Sequence, residues 1–375
     1  MTATRRASMG VVTLFGGLLG LASVSQAQGV YAATPSDDVW VYGNAGDPAG
    51  DPIFRIWGMG NSSINPTYPP GDYSYAYLKW NLAAVPQLAA GQYYRITEAT
   101  LTVTSQRASN YTLATAQQNP LEARPLATNF SEATWNYDDA NPNPDDSTFG
   151  MGDTANYSAS VVYRIPINLL AATGAFQTQF NAQFAANGQV GIALTSSIPA
   201  IQMGGAFYRI YSKDDPGGRR PTLRVAYEPV TSISGNITLE NAVSNAQPIT
   251  FTFTPTATGT AFSRMITPSS TGAFTLADIP LRGYTVGIKG AKWLRAVKTT
   301  DASQVPQPTI TATLKGGDAN NDNAVDIADL LLLINAYNRA QPDPLYSAAA
   351  DFTGDGFNDI ADLLTLIQNY NVEGA

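Results

Sequence analysis

The 375-residue chain contains no cysteine and no histidine. Without cysteine, neither disulfides nor thiolate metal sites can brace the fold. Without histidine there is no imidazole for a Ser-His-Asp or Cys-His nucleophile, nor for a histidine-ligated zinc. Paired-carboxylate, tyrosine or lysine chemistry remains open. Charge is also scarce: only 13% of residues are charged, 21 basic against 29 acidic, for a net charge of −8. The basic residues are scattered, so no stripe exists to neutralise phosphates, and nucleic acid is not an expected partner. In place of charge stand 32 glycines, 24 prolines and many Thr, Ser, Asn, Gln and aromatic residues, which suit short strands and turns better than a helical enzyme. The length allows two or three domains, each able to bury its own core.

Long apolar runs are missing too. The longest, from about Met9 to Val24, is broken by Gly16, Gly17 and Gly20 and falls short of the roughly 20 residues a membrane span needs. Arg5-Arg6 precede it and the small-residue site Ser25-Gln26-Ala27 follows. Residues 1–27 therefore read as a secretory signal peptide cleaved near Ala27, of the general or the twin-arginine type. The mature chain is expected to be secreted, extracellular or at the cell surface, with no transmembrane span.

From Asp37 to Glu228 short β-rich runs (VWVYG, YAYLKWNL, ITEATLTVTS, SASVVYRIPI, QVGIALTS, AFYRIYS, TLRVAY) alternate with Gly, Pro and Asn clusters. In ATLTVTS, Leu101 and Val103 fall on one face and Thr100, Thr102 and Thr104 on the other, as a half-buried strand requires. A two-sheet sandwich is the economical solution, with one helix expected over Leu169–Ala186. The segments DDVWVYG, YSYAYLKWNLAAVP, ITEATLTVTS, FSEATWNYDD and FYRIYSKDDPGGRRPTLRVAYE follow, in order, those of the secreted DNRLRE-type domain, and residues 33–229 resemble it. The resemblance implies a jelly-roll β-sandwich similar to carbohydrate-binding modules. A hinge is expected at Pro229. Beyond it, ITFTF, GAFTL and YTVGIK alternate between turns, and residues 231–315 resemble the carboxypeptidase-regulatory-like, immunoglobulin-type domain, which implies a spacer or binding accessory.

The densest charge lies near the C-terminus, and it is repeated. Asp318, Asp322, Asp326, Asp329, Leu330, Leu333, Ile334 and Tyr337 recur 33 residues later as Asp351, Asp355, Asp359, Asp362, Leu363, Leu366, Ile367 and Tyr370. Oxygen donors occupy loop positions 1, 3, 5 and 12, the EF-hand spacing that wraps Ca²⁺ in hard oxygen ligands. The first cage draws on Asp318, Asn320, Asp322, the carbonyl of Ala324 and Asp329; the second on Asp351, Thr353, Asp355, the carbonyl of Phe357 and Asp362. Asp326 and Asp359, at position 9, are expected to reach the ion through water. Two calcium ions are therefore expected. Asn323 stands where such loops usually carry Gly, a substitution that Asn tolerates because it visits the left-handed region. Asn358 replaces an aliphatic residue, and Thr353 is a weaker donor than Asn320, so the second loop is expected to bind less tightly.

Behind each loop Leu330, Leu333, Ile334 and Tyr337, or Leu363, Leu366, Ile367 and Tyr370, are spaced as one helical face, and the two faces are expected to bury each other. No helix precedes Asp318. A loop followed by a single helix, duplicated, with Asp at position 12, resembles the type I dockerin; residues 316–375 are assigned to that module. The resemblance implies docking onto a cohesin-type domain, with Ile327, Ala328, Ile360 and Ala361 at loop positions 10 and 11 as candidate contacts, where many dockerins carry small hydroxyl residues.

Elsewhere, Trp57 and Tyr68 in the segment WGMGNSSINPTYPPGDY are candidates for stacking on sugar rings, whereas Trp40, Tyr42, Tyr77 and Trp80 fit a strand core. The cluster Arg209, Lys213, Arg219, Arg220 and Arg224, near Asp214 and Asp215, reads as a salt-bridged loop or a grip on an acidic sugar. Carboxylates such as Glu98, Glu122, Glu132 and Glu228 leave catalysis open. The expected whole is mainly β: a jelly-roll sandwich, an immunoglobulin-like sandwich and a small α-helical calcium module. The expected function is that of a secreted, non-catalytic protein that binds polysaccharide and docks through calcium. The alternatives are a structural surface or matrix protein with a calcium-stabilised cap, and a polysaccharide-degrading enzyme.

Overall fold

The computed structural model describes residues 28–42, 50–57, 74–106, 112–134, 148–154, 162–196 and 207–375. The N-terminal segment 1–27 and Tyr68 lie outside these residues. Among the described residues no helix is long and apolar enough to cross a membrane.

The first sandwich closes two antiparallel sheets over one core. One sheet orders the strands Gly29–Ala33, Thr222–Leu239, Gln92–Ser105, Tyr208–Tyr211 and Ile53–Ile56, with Tyr163–Asn168 added to Gln92–Ser105; the other runs Asp37–Tyr42, Ser74–Asn81, Gln189–Ser196, Leu121–Leu126 and Gly150–Met151. Leu101 and Val103 point inward and are wholly buried, meeting Leu78, Ile192 and Leu194 of the facing sheet in one core. Thr100 and Thr102 stay half-exposed, but Thr104 is buried. Two helices lie in the connections, α1 (Leu113–Gln118) and α2 (Ala175–Asn187). The helix expected from Leu169 starts six residues later, because the chain first turns and Gly174 takes a left-handed φ of 75°. From there Phe176, Phe180 and Phe184 recur every four residues and bury one aromatic edge in the core.

The second sandwich is built on the same long strand. Residues 230–239 of Thr222–Leu239 pair with Ala273–Pro280 and, in parallel, with Thr309–Leu314; the facing sheet orders Phe262–Ile266, Ile249–Pro255, Gly283–Gly290 and Trp293–Asp301. In Thr309–Leu314 the three threonines face solvent while Ile310, Ala312 and Leu314 are buried, a two-residue period written directly into the sequence.

Pro229 is therefore not a hinge: it lies inside a continuous strand, in register with Tyr94. Along the other edge, Gly29–Ala33 pairs only as far as Tyr227 and Ala273–Pro280 begins at Val230. Pro229 falls in the changeover between these partners, where a missing N–H costs the ladder least.

Candidate calcium-binding module

The last sixty residues fold as two copies of one unit. In the first, the carboxylate of Asp329 accepts from the backbone N–H groups of Asn320 at 3.0 Å and Asp326 at 2.9 Å. In the second, Asp362 accepts from Thr353 at 3.0 Å and Asp359 at 3.0 Å. Asp318 accepts from Asn323 and Asp351 from Gly356, both at 3.1 Å, and Asp322 and Asp355 accept from Ala324 at 2.9 Å and Phe357 at 3.0 Å. Each short side chain thus braces its loop by bonding a backbone N–H two to nine residues away. Asn323 holds a left-handed φ of 74°, and its counterpart Gly356 a φ of 88°.

The loops concentrate negative charge where water cannot reach it. Asp318, Asp329, Asp351 and Asp362 are all buried. Asp318 pairs with Lys289 Nζ, 2.8 Å from Oδ2; among the described residues the other three make no ion pair, though Lys292 lies close enough to attract Asp351 and Asp362. The second oxygen of Asp318, Oδ1, is buried without any hydrogen-bond partner. Burial pushes the carboxyl groups of Asp318 and Asp362 above the ordinary carboxylate range, although Lys289 counteracts this at Asp318. Two lysines only partly offset four buried carboxylates, which are costly without full compensation, and an orphaned buried oxygen in a loop rich in oxygen donors fits a hard divalent cation. Asp318, Asn320, Asp322, the Ala324 carbonyl and Asp329 would hold it in the first loop, and Asp351, Thr353, Asp355, the Phe357 carbonyl and Asp362 in the second. The ion would supply the missing positive charge and so tie folding of the loop to its own binding.

Each loop opens directly into a helix, α3 (Ile327–Ala336) and α4 (Ile360–Gln368). Asp326 and Asp359 are their N-caps, accepting from Ala328 at 2.7 Å and Ala361 at 2.8 Å, while Asp329 and Asp362 close reciprocal capping boxes. The loop spacing alone did not reveal this capping role. The segment after each helix then pairs with the other copy's loop: Ala324–Val325 with Val372–Glu373, and Arg339–Ala340 with Phe357–Asn358.

The helix faces differ from the expectation. Leu333 and Leu366 are buried and Leu330 and Leu363 pack beside them, but Ile334, Tyr337, Ile367 and Tyr370 are exposed. The cause is the position-12 aspartate: Asp329 and Asp362 turn inward to bond backbone N–H groups of their own loops, so the buried face of α3 runs Asp329, Leu333, Ala336 and the expected stripe rotates outward. On the outer side Ile327, Leu331 and Ile334 on α3 and Ile360, Leu364 and Ile367 on α4 form matching stripes, all six residues 54–59% exposed. Ile327 and Ile360 are thus open to solvent, with Ala328 exposed and Ala361 half-buried beside them.

Residues 316–371 match the family profile of the dockerin type I domain. The C-terminal module is a type I dockerin domain. Dockerins of this type bind calcium, in agreement with the donor set described above. No curated protein matches the chain. Among solved structures, two interface mutants of a type II cohesin-X-dockerin complex from Acetivibrio cellulolyticus are similar at 22% identity over 38% of this chain and 97% of theirs, with TM-scores of 0.31 and 0.32. The TIE protein of Bacillus anthracis is similar at 11% identity over 71% of this chain and 41% of its own, with a TM-score of 0.18.

The dockerin does not stand alone. Lys289 Nζ bonds Asn321 Oδ1 at 2.7 Å as well as Asp318, Lys292 donates to the Asp351 carbonyl, and Arg295 N donates to Asn323 Oδ1 at 2.7 Å. Asn323 therefore links the loop to the second sandwich, which a glycine there would not do. On α4, Asn241 Nδ2 donates to Thr365 Oγ1 at 3.1 Å, and Asn369 donates to Glu240 and to the Gly316 carbonyl. These contacts account for two departures between the copies: Thr365 and Asn369 lie against the sandwich, whereas their counterparts Leu332 and Ala336 do not take part in these bonds. Asn358 is likewise satisfied, bonding both the N–H and the carbonyl of Ser347.

Other candidates fare differently. Trp57 is only 7% exposed and packs in the sandwich core with Phe207 at a 5.9 Å centroid distance. It has no open face to offer a sugar, so this candidate is corrected. Trp40, Tyr77 and Trp80 are buried, as their strand positions suggest. The basic cluster is threaded with ion pairs: Lys213 bridges Glu132 and Asp214, Arg219 holds Asp215 and Arg224 holds Glu98. Asp38, Glu132 and Asp214 come together there, but the ammonium of Lys213 already supplies the positive charge. Burial lifts the Asp38 carboxyl to about 7. Glu122 and Glu228 are paired as well, with Arg124 and Arg95.

Proposed function

We propose that this protein is a secreted, modular and non-catalytic component that docks through its dockerin, in a calcium-dependent manner, onto a cohesin-type domain, while its N-terminal sandwich binds polysaccharide. The observation that carries the docking reading is the pair of exposed Ile-Leu-Ile stripes on α3 and α4, held at equivalent positions behind two loops built for calcium. Apolar patches of this kind on an otherwise polar surface mark protein contacts. Each loop takes one Ca²⁺, two per chain. A domain organisation of signal peptide (1–27), DNRLRE-like jelly-roll sandwich (33–229), immunoglobulin-like spacer (231–315) and dockerin (316–375) is the reading that goes with this function.

Capture of the mature chain on an immobilised cohesin-type domain tests the docking reading: retention with calcium and release by chelator is the expected result, and equal capture under both conditions contradicts it. The second reading, a calcium-stabilised terminal cap, draws on the contacts of Glu240, Lys289 and Arg295 with the dockerin. No capture under either condition, together with loss of thermal stability on chelation, is the outcome that selects it.

A further inference from the structure

The junction of the two sandwiches contains a cavity of about 330 Å³, lined by Arg95 and Glu228 from the first and by Phe262, Arg264, Arg282 and Tyr284 from the second. Three guanidinium groups and a single carboxylate line it. Glu228 pairs with Arg95 and lies 3.7 Å from Arg282. Arg264 has no ion-pair partner among the described residues and lies over the Phe262 ring, 4.9 Å from its centroid. Charge in the cavity is therefore unbalanced toward the positive.

The Nε atoms of Arg95 and Arg282 are buried against the protein, but the two side chains remain 32% and 24% exposed. Two partly accessible guanidinium groups beside a third that makes no ion pair suit an oxyanion, whose oxygens match the guanidinium fork. The cavity has room for about ten waters at ~30 Å³ each, far more than a bare inorganic anion fills. Of its remaining lining, Thr260 offers a neutral polar contact of the kind a sugar hydroxyl uses, while Phe262 and Tyr284 pack against Phe253 and each other.

We propose that this cavity binds the carboxylate of an acidic sugar, a hexuronate residue of an acidic glycan, with Arg264, Arg282 and Arg95 as its anion-binding groups. The site is remote from the calcium loops and independent of docking. It rests on the polysaccharide reading and narrows it: a chain that still captures neutral glycans but ignores uronates overturns the site and leaves that broader reading standing.

The test is calorimetric titration of the mature full-length chain with methyl galacturonoside, calcium being saturating in cell and syringe. Its uncharged methyl ester, inorganic sulfate and glutamate serve as the comparison ligands. The expected result is saturable binding of the uronide alone. Arg264→Ala should weaken it about tenfold, the effect of one charge-assisted hydrogen bond, while the chain still melts cooperatively, because Arg264 makes no ion pair and gives up only its contacts with the Phe262 ring and the Ser263 carbonyl. Glu228→Gln, which removes the competing carboxylate, should strengthen it a few-fold, about the effect of a partly screened neighbouring charge. No binding, equal binding of the ester, sulfate or glutamate, or a uronide affinity indifferent to Arg264→Ala overturns the proposal.

Discussion

Asp318 and Asp362 show how much of a calcium loop is set by where single carboxylates are placed. Their carboxyl groups are raised by burial, so on acidification they take up protons earlier than exposed aspartates and compete with the ion. The apparent calcium affinity is expected to fall as pH is lowered from 7 toward the carboxylate range, and to begin falling at a higher pH than exposed aspartates alone would give; a pH series of titrations checks this, and an affinity indifferent to pH contradicts it. Asp38 gives a second pH effect, in the first sandwich. Its folded value near 7 lies above the unfolded value of 3.8, so the folded state binds a proton that the unfolded state releases. Its contribution to stability declines as pH rises through that window. Asp38→Asn, which mimics the neutral form, should flatten the pH dependence of melting. At this scale the sequence was legible where chemistry follows residue type and spacing, as with the loop carboxylates. It was not legible where a partner is distant in the chain: Trp57 meets Phe207, and Asn323 meets Arg295.

Helices α3 and α4 carry the docking reading at the scale of the element. Period 3.6 revealed that each loop is followed by an amphipathic helix, but not which side faces inward. The buried aspartate at the third helical position, held by its capping box, fixes that rotation and turns Ile334, Tyr337, Ile367 and Tyr370 toward solvent. Replacing Leu331 and Leu364 together by Asp should abolish capture by a cohesin-type domain while leaving helicity and calcium uptake intact, because both residues are exposed. Capture by the double variant would show that these stripes are not the docking surface. The capping boxes predict the converse class of effect: Asp326→Ala or Asp359→Ala should cost about 1 kcal/mol of stability each, read as a lowered melting midpoint. The late start of α2 has a similar lesson. The apolar pattern from Leu169 was real, but the left-handed Gly174 decides where the helix begins.

Among the described residues the cores of the first sandwich, the second sandwich and the dockerin follow one another along the chain and are linked. The strand Thr222–Leu239 serves both sandwiches, and Leu294 of the second sandwich enters the dockerin core beside Leu333 and Leu366. The change of composition near Pro229 is visible in the sequence, but its meaning is not: a proline can end a domain or sit in a strand where the partner changes. Continuity of this kind lets the second sandwich influence calcium. Lys289 lends positive charge to the first cage, so Lys289→Met should tighten that site. The account as a whole depends on the two loops being calcium cages, and calorimetric titration of the chelator-stripped protein with Ca²⁺ tests this most directly. It predicts two ions bound per chain, reduced to one by either Asp329→Ala or Asp362→Ala. Absence of binding heat, with a dockerin equally helical and equally heat-resistant before and after stripping, would contradict it.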